Sequence, residues 1–454
     1  MLLLLPSSDN TCHRIPEAPF AITSHRQCPH TSQTCVYVAH ERLPIISLCT
    51  SLLAGVHYTL FTTPTSADQA VWQGEALSPR AAVDTFGAES AEPLTAHALV
   101  RCASAVAADT TTIFCDHGHG SAALERALPE AVREIVSKGS KQKSKSVTAA
   151  MLRAGAHSDG GTHSSAPAAG PLRALLPMLH RLRWRKSPAE IALLAASTDA
   201  TAQALRTCMA HTWPGLTEQD LEAHFRFQTT LAGAHGPAFP PVVGSGANAC
   251  TIHYGRNDAR LCDGDLVLLD AGCERWGYAS DVTRTWPVSG TFSPAQRAVY
   301  EAVLRVHTAC VAEVQVGAHL RDIHALSVHM LTDALRDLGV AIGDSARDSR
   351  ESTRHARKFY PHALGHWLGC DTHDCATVAH DTPLEPGVVL TIEPGLYLQG
   401  DGVPDHLQGI GVRIEDDVLV RAEGPKVLSA AAPVDVDEVE ALVGTLASDW
   451  PRAA

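Results

Sequence analysis

Five side chains of the types that can bind metal ions, spread over the C-terminal half of the chain, constrain its fold more than any other feature. They are Asp270, Asp281, His366, Glu393 and Glu415, in the phrases LLDAG, SDVTRT, HALGHWLG, TIEPG and VRIED. Four carboxylates and one imidazole form a hard, oxygen-rich set that suits two divalent ions of the Mn²⁺ type, although Zn²⁺ and Co²⁺ fit the same ligands. Two such ions activate water and polarise a carbonyl, so the set indicates a metal-dependent hydrolase.

The first two acids, Asp270 and Asp281, are predicted to lie in one β-hairpin. The apolar residues 266–269 lead into Asp270 as a buried strand. A turn at residues 275–276 would place the two aspartates directly opposite each other, about 5 Å apart, where like charges repel. We therefore expect a cation between them; the alternative is a pair of solvated turn aspartates, which fits the buried strand less well.

Glu393 and Glu415 end two further predicted strands, residues 388–393 and 411–415, which could pair with each other. Arg413 and Glu415 share one strand face because side chains alternate along a strand. An arginine beside two carboxylates keeps them ionised and oriented, so we expect Arg413 to orient this pair without being a ligand itself.

Histidines form the third group of candidate residues. His362, His366 and His373 lie together in a segment that also contains Asp371 and Asp374. Most of the 25 histidines are expected to be structural or exposed, and clustering is what favours a ligand role here.

Composition argues against several other classes of protein. The net charge of −13 argues against a nucleic-acid partner. Residues 45–56 form an apolar run too short to cross a bilayer. The 13 cysteines are odd in number and contain no C-x-x-C pair, which indicates reduced thiols in a reducing compartment. Cys370 and Cys375, near the candidate ligands, are expected to be incidental, because thiolates do not favour a Mn²⁺-type site.

The chain is predicted to contain five segments. Residues 1–56 lack periodicity and are expected to be irregular, or not a genuine part of the protein; residues 57–136 form a partial α/β domain, residues 137–171 a low-complexity linker, residues 172–445 the main domain and residues 446–454 a tail.

Local patterns predict individual elements within these segments. We expect a strand at residues 57–61, helices at residues 122–136 and 172–186, and a helix capped by Ser187, Pro188 and Glu190 that continues to about Thr212. Strands at residues 266–271 and 282–287 and helices at residues 293–312 and 320–338 follow.

Five motifs in a fixed order resemble the aminopeptidase P (Xaa-Pro aminopeptidase) family, branch M24B of the pita-bread metallopeptidases. They are VVGSGANACTIHYGRN, DGDLVLLDAGCERWGYASDVTRTWPV, HALGHWLGCDTHD, LTIEPGLY and GIGVRIEDDV, and the resemblance covers roughly residues 172–445. The phrases that begin YTLF and LLPML are similar to the mitochondrial-type subgroup, which includes intermediate-cleaving peptidases.

The resemblance implies an α/β (α+β) fold, with a C-terminal pita-bread (creatinase/aminopeptidase) catalytic domain and a smaller, incomplete α/β N-terminal domain. It implies that Asp270 chelates the first ion, that His366 binds the second together with Glu393, and that Asp281 and Glu415 bridge both. Glu393 would accept a proton, Arg413 would steady Glu415, and three histidines would contact the substrate and its tetrahedral intermediate: His253, His362 and His373.

The implied activity is removal of the N-terminal residue from peptides with proline second, by a homodimer or homotetramer without nucleic-acid or membrane partners. The implied location is mitochondrial, with the cytoplasm as the alternative. Three other functions stay open: trimming of imported mitochondrial proteins by one residue, hydrolysis of Xaa-Pro dipeptides, and peptide binding without catalysis. The last is least favoured, because all five ligand residues are present.

Overall fold

The computed structural model describes residues 176–342 and 355–447, and before them residues 33–38, 45–52, 55–62, 78–86, 90–93, 113–115 and 172–174. The chain divides into two compact units, Met1–Leu179 and His180–Ala454, so the boundary falls slightly later than the predicted start of the main domain at residue 172. The predicted helix at residues 122–136, the linker at residues 137–171 and most of the tail lie outside the described residues.

A six-stranded sheet organises the first unit. Its strands are β1 (Gln33–Val38), β2 (Ile45–Leu52), β3 (Gly55–Thr62), β4 (Ser90–Pro93), β5 (Ile113–Cys115) and β6 (Leu172–Ala174), and helix α1 (Pro79–Phe86) precedes β4. The order is β4-β3-β2-β1-β5-β6, antiparallel from β1 to β3 and parallel elsewhere.

Two predictions concern this sheet. The strand predicted at residues 57–61 is confirmed by β3. The irregular structure predicted for residues 1–56 is wrong in part, because β1 and β2 lie there. Both strands pair on both sides within the sheet. Strand formation depends strongly on such neighbours, which periodicity in a single segment does not reveal.

Six helices lie in or lead into the described part of the second unit: α2 (Leu176–Trp184), α3 (Pro188–His211), α4 (Glu218–Leu231), α5 (Pro294–Ala312), α6 (Leu320–Asp337) and α7 (Val436–Leu442). The predicted cap of α3 is confirmed, since the Glu190 N–H donates to Ser187 Oγ and the Ser187 N–H donates to the Glu190 carboxylate. The helix predicted at residues 172–186 starts too early, because its first residues form β6 and pair with β5.

The strands of the second unit form four small antiparallel sheets. Their orders are β12-β9-β8, β11-β10-β7, β13-β16-β17 and β14-β15. The strands are β7 (Gly236–Pro237), β8 (Val242–Ser245), β9 (Leu266–Ala271), β10 (Cys273–Arg275), β11 (Tyr278–Ala279), β12 (Val282–Pro287), β13 (Val389–Ile392), β14 (Gly395–Leu398), β15 (Ile410–Arg413), β16 (Asp416–Leu419) and β17 (Lys426–Val427). The predicted bounds of β9 and β12 are confirmed, whereas β13 and β15 end before Glu393 and Glu415.

One hydrophobic core joins the helices of the second unit to its sheets. Leu205 of α3 and Phe225 of α4 are fully buried with Leu269, Trp286 and Leu390 of the strands. Burial of each such side chain contributes roughly 1.5–3 kcal/mol, so the core holds the strands firmly. In the described part of the chain, no helix combines the length and the apolar character that a bilayer span requires.

Candidate metal centre

The hairpin that carries Asp270 and Asp281 turns at Trp276 and Gly277, one residue later than predicted. Both turn residues have positive φ, 54° and 76°, as a type I′ hairpin turn requires. Asp270 therefore pairs with Thr283, and the prediction that the two aspartates lie directly opposite is wrong. A one-residue shift of the turn displaces the pairing by two residues, so Asp270 and Asp281 are diagonal neighbours. Residues in this arrangement are about 7–8 Å apart, which leaves space for a cation.

Glu393 and Glu415 lie at a break between two antiparallel ladders. β13 pairs with β16 on one side of the break, and β14 pairs with β15 on the other. The strand before Glu393 thus pairs with the strand after Glu415, not with the strand before it as predicted. The Glu415 N–H donates to the Thr283 carbonyl oxygen at 3.1 Å, which ties the break to β12.

Gly365 allows His366 to lie against β13. A Cβ atom at Gly365 would overlap the Thr391 carbonyl oxygen, so only glycine fits there. The His366 N–H donates to Thr391 Oγ1 at 3.1 Å, and the Thr391 N–H donates to the His366 carbonyl oxygen at 2.9 Å. This contact holds His366 Nε2 3.3 Å from Asp281 Oδ2 and 3.8 Å from Glu393 Oε1.

The structure brings three of the five predicted ligands into one compact group. One ligand atom each from Asp281, His366 and Glu415 lies within 4.8 Å of the other two. Glu393 lies beside this group next to His366, and Asp270 is hydrogen-bonded to Arg413. The five residues are together called the acidic group: Asp270, Asp281, His366, Glu393 and Glu415.

Arg413 of β15 links the β14-β15 ladder to the β9-β12 hairpin beside this group. Besides Asp270, it donates from Nη1 to the Tyr397 hydroxyl at 2.8 Å and from Nε to Thr283 Oγ1 at 3.1 Å. Thr283 in turn donates to Glu415 Oε2 at 2.6 Å. The sequence predicted that Arg413 orients Glu415, and in the structure the Thr283 hydroxyl lies between the two side chains.

His362 continues this hydrogen-bond chain. Because the Tyr397 hydroxyl accepts from Arg413, its own proton can be donated to His362 Nε2, 2.8 Å away, while His362 Nδ1 donates to the Ala363 carbonyl oxygen at 2.8 Å. Burial, together with the charge of Arg413, lowers the pKa of His362 to about 3, so the ring is neutral. His362 Nδ1 also lies 3.6 Å from Glu393 Oε2.

The other two predicted histidines are exposed. The ring of His373 lies 4.4 Å from that of His366 in an edge-to-face arrangement. Burial, and then the charges of His366 and His253, lower the pKa of His373, so His253 also lies near the acidic group.

Thr283 and Tyr397 are site residues that the sequence prediction missed. Thr283 lies two residues after Asp281, and Tyr397 lies four residues after Glu393. Strand alternation places such residues on the face of the preceding ligand, so this signal could have identified both.

The acidic group fits a bound cation. Asp270 Oδ1 and Asp281 Oδ1 are buried and have no hydrogen-bond partner among the described residues. Burial raises the pKa of Asp281 and Glu415, and neighbouring carboxylates raise it further. Burial also raises the pKa of Glu393, although His366 and Arg413 act to lower it. Buried carboxylates without compensating charge cost free energy, which hard divalent cations would offset.

The seven cysteines whose side chains the structure describes, from Cys208 to Cys375, form no disulfide. Cys375 lies in the hydrophobic core, and Cys370 is partly buried outside the acidic group.

Sequence comparisons relate the chain to known peptidases. Residues 192–422 match metallopeptidase family M24. The chain is 40% identical over 281 residues to mitochondrial intermediate cleaving peptidase 55 of Arabidopsis thaliana, and 39% identical over 281 residues to human Xaa-Pro aminopeptidase 3. Each match covers 62% of this chain and 55% of the relative, so the chain spans about half the length of these curated relatives.

Solved structures show the same fold. Escherichia coli aminopeptidase P with the inhibitor Pro-Leu has a TM-score of 0.75 and 30% identity, over 90% of this chain and 87% of that chain. Proline aminopeptidase P II from Yersinia pestis has a TM-score of 0.74 and 30% identity, over 90% and 94%. The predicted pita-bread α/β fold is thereby confirmed. The chain belongs to metallopeptidase family M24, in its aminopeptidase P group.

Proposed function

We propose that this protein is a metal-dependent aminopeptidase that removes the N-terminal residue from peptides, preferentially when proline is second. The observation that carries the proposal is the convergence of ligand atoms from Asp281, His366 and Glu415 within 4.8 Å of one another. Beside them, the buried Asp270 Oδ1 and Asp281 Oδ1 have no hydrogen-bond partner among the described residues. The substrate class is supported by similar proteins from human and Escherichia coli that are named Xaa-Pro aminopeptidases.

The proposed ligands for two divalent ions are Asp270, Asp281, His366, Glu393 and Glu415, with Asp281 and Glu415 shared between the ions. Such ions lower the pKa of a water and polarise a carbonyl at neutral pH. Mn²⁺ is the proposed species because most of these donors are hard carboxylate oxygens.

Glu393 is the proposed proton acceptor. Its two oxygens lie 3.8 Å from His366 Nε2 and 3.6 Å from His362 Nδ1, inside the group where a water would be activated. A carboxylate in this position can take a proton from the attacking water and deliver it to the leaving amine.

The histidines are proposed to hold the peptide. His253 and His373 are exposed, so they can reach a substrate that approaches the acidic group. Neutral His362 is oriented by Tyr397, which Arg413 holds in turn. The Nδ1–H of His362 already donates to the Ala363 carbonyl oxygen and its Nε2 accepts from Tyr397, so His362 packs beside the substrate without donating to it. His253 and His373 are the proposed donors that stabilise charge developing on the scissile carbonyl oxygen.

The test is cleavage by metal-stripped protein before and after addition of Mn²⁺. An Xaa-Pro-Xaa tripeptide should lose its first residue only with Mn²⁺, faster than the matched Xaa-Ala-Xaa peptide. Equal rates on the two peptides would favour the intermediate-cleaving role, and cleavage of the Xaa-Pro dipeptide alone would favour a dipeptidase. Mn²⁺-bound protein that cleaves none of them would overturn the proposal in favour of a binding protein.

We also propose a mitochondrial location and a homodimeric or homotetrameric state. The location is supported by the Arabidopsis thaliana relative, whose name places it in mitochondria, and the oligomeric state follows from the family resemblance. Cell fractionation tests the first against a cytoplasmic location, and light scattering of the purified protein tests the second.

A further inference from the structure

Arg183, near the end of α2, bridges two acids of the segment that carries His373. Its Nη2 lies 2.6 Å from Asp371 Oδ2 and 2.6 Å from Asp374 Oδ1. One guanidinium thus holds the residues on both sides of His373, although Arg183 is far from them in the sequence.

The Arg183–Asp374 contact is buried. The Asp374 side chain is 1% exposed and that of Arg183 is 17% exposed. Burial acts to lower the pKa of Arg183, but Asp374 and then its other acidic neighbours raise it overall. Removal of one partner from a buried pair leaves an uncompensated charge, so this contact fixes the segment more firmly than a surface pair would.

Asp374 also contacts the backbone next to His366, a member of the acidic group. Its N–H donates to the Trp367 carbonyl oxygen at 2.9 Å, next to the candidate ligand His366, and its Oδ1 accepts from the Cys375 N–H at 2.8 Å. The segment therefore closes on itself between His366 and Cys375, with His373 at its exposed edge.

α2 holds the same segment at a second point. The Thr377 N–H donates to His180 Nδ1 at 3.1 Å, and the Thr377 hydroxyl lies 2.9 Å from the same nitrogen. Trp184 of α2 packs edge-to-face on Trp367, with ring centroids 5.5 Å apart. Three successive contacts therefore fix the segment to one helix.

We propose that Arg183 is a positioning residue, which acts through Asp371 and Asp374 to hold His373 beside His366 for contact with the substrate. The inference rests on the proposed function, since His373 contacts a peptide only if the acidic group is a peptidase site. Metal binding does not depend on Arg183 in this account, because Thr391 holds His366 independently.

The experiment compares kcat and KM of the Mn²⁺-loaded full chain and its variants on an Xaa-Pro-Xaa peptide. Arg183→Ala should lower kcat/KM roughly tenfold or more, because displacement of a group by 1 Å can cost that much. Arg183→Lys should recover part of the loss, since lysine keeps the charge without the planar fork. Arg181→Ala, which removes an exposed arginine from the same helix, is the matched control and should leave kcat/KM unchanged.

A double-mutant cycle separates positioning of His373 from a general structural role. If Arg183 acts through His373, Arg183→Ala should have little further effect in the His373→Ala background, whereas independent effects would add. Additive losses, or an unchanged kcat/KM in Arg183→Ala, would overturn the inference. If Arg183→Ala does not fold, Asp371→Asn, at a partly exposed carboxylate, replaces it in the cycle.

A second readout separates failure of this inference from failure of the proposed function. If wild-type protein cleaves no Xaa-Pro peptide, the proposed function is wrong, and kinetics cannot address Arg183. The NMR resonance of the His373 ring should still shift in Arg183→Lys and stay in place in Arg181→Ala. A His373 resonance that stays in place in both variants would overturn the inference.

Discussion

Glu415 and Asp416 are adjacent and both buried, yet their surroundings shift the pKa of the two carboxyls in opposite directions. Asp416 Oδ1 accepts from Arg284 Nη2 at 2.6 Å and from Ser429 Oγ at 2.5 Å, and its Oδ2 lies 3.1 Å from His307 Nε2. Burial acts to raise the pKa of Asp416, but Arg284 and His307 outweigh it and hold the pKa well below its ordinary value. This acid is fully compensated within the protein.

Glu415 instead belongs to a group in which four carboxylates share one buried arginine, Arg413, so negative charge is in excess. Thr283 donates to one of its oxygens, while burial and then Asp281 raise its pKa well above the ordinary value. Two oxygens of the group, on Asp270 and Asp281, have no hydrogen-bond partner among the described residues. The comparison teaches that this fold can neutralise a buried acid with its own side chains, and that it leaves an excess of negative charge where a cation is expected.

Among the variants that test this comparison, Asp281→Ala is expected to have the largest effect. The variant removes a proposed shared ligand, so we expect it to lose Mn²⁺ binding and all measurable cleavage of an Xaa-Pro-Xaa peptide. Metal analysis after gel filtration and a peptide assay measure both effects. Asp401→Ala removes an exposed aspartate and is the matched control. Cleavage retained in Asp281→Ala would contradict this comparison, because the reaction would then not need the Asp281 carboxylate.

Arg284→Met tests the compensated side of the comparison. Removing one partner from a buried ion pair is expected to lower the free energy of unfolding by about 3–5 kcal/mol. Urea unfolding of metal-stripped protein measures this loss, and Mn²⁺ should still raise the melting temperature of the variant. Unchanged stability would mean that Asp416 does not need Arg284, and loss of the Mn²⁺ response alone would place this pair within the metal site.

The smallest of these effects is expected for Thr283→Val, which removes the hydroxyl between Arg413 and Glu415 without a large change in volume. Loss of a residue that orients a metal ligand costs about tenfold to hundredfold in metal affinity. Calorimetric titration with Mn²⁺ measures this, with Thr283→Ser as the variant that keeps the hydroxyl. Equal affinities of the valine and serine variants would show that the link does not orient Glu415.

Local sequence patterns predicted the elements that deliver the site, and tertiary contacts decided how the side chains meet. β9, β12 and the cap of α3 followed from apolar alternation and from the Ser-Pro-x-Glu signal. The position of the hairpin turn did not, because positive φ at Trp276 is uncommon for a non-glycine residue. That single residue decided whether Asp270 faced Asp281 or Thr283.

The sequence did not predict contacts between distant segments, because such contacts form only when the chain folds. Arg413 was expected to orient Glu415, two residues away; it hydrogen-bonds Asp270 and Tyr397 directly and is connected to Glu415 through Thr283. Arg183 has no local signal at all, since its partners lie in a different part of the chain. The five candidate ligands were recognisable from the sequence because such a set of carboxylates and an imidazole suits metal ions. The residues that orient these ligands have no recognisable sequence pattern, since only the fold brings them together.

The melting temperature of metal-stripped protein, with and without Mn²⁺, tests the central claim most directly. An ion that binds only the native state stabilises it, by about 2.7 kcal/mol at a hundred times its Kd. We expect a clear rise in the melting temperature of the wild-type protein that is absent in Asp281→Ala. Superimposable curves for the wild-type protein with and without Mn²⁺ would contradict the assignment of the buried acidic group as a metal centre.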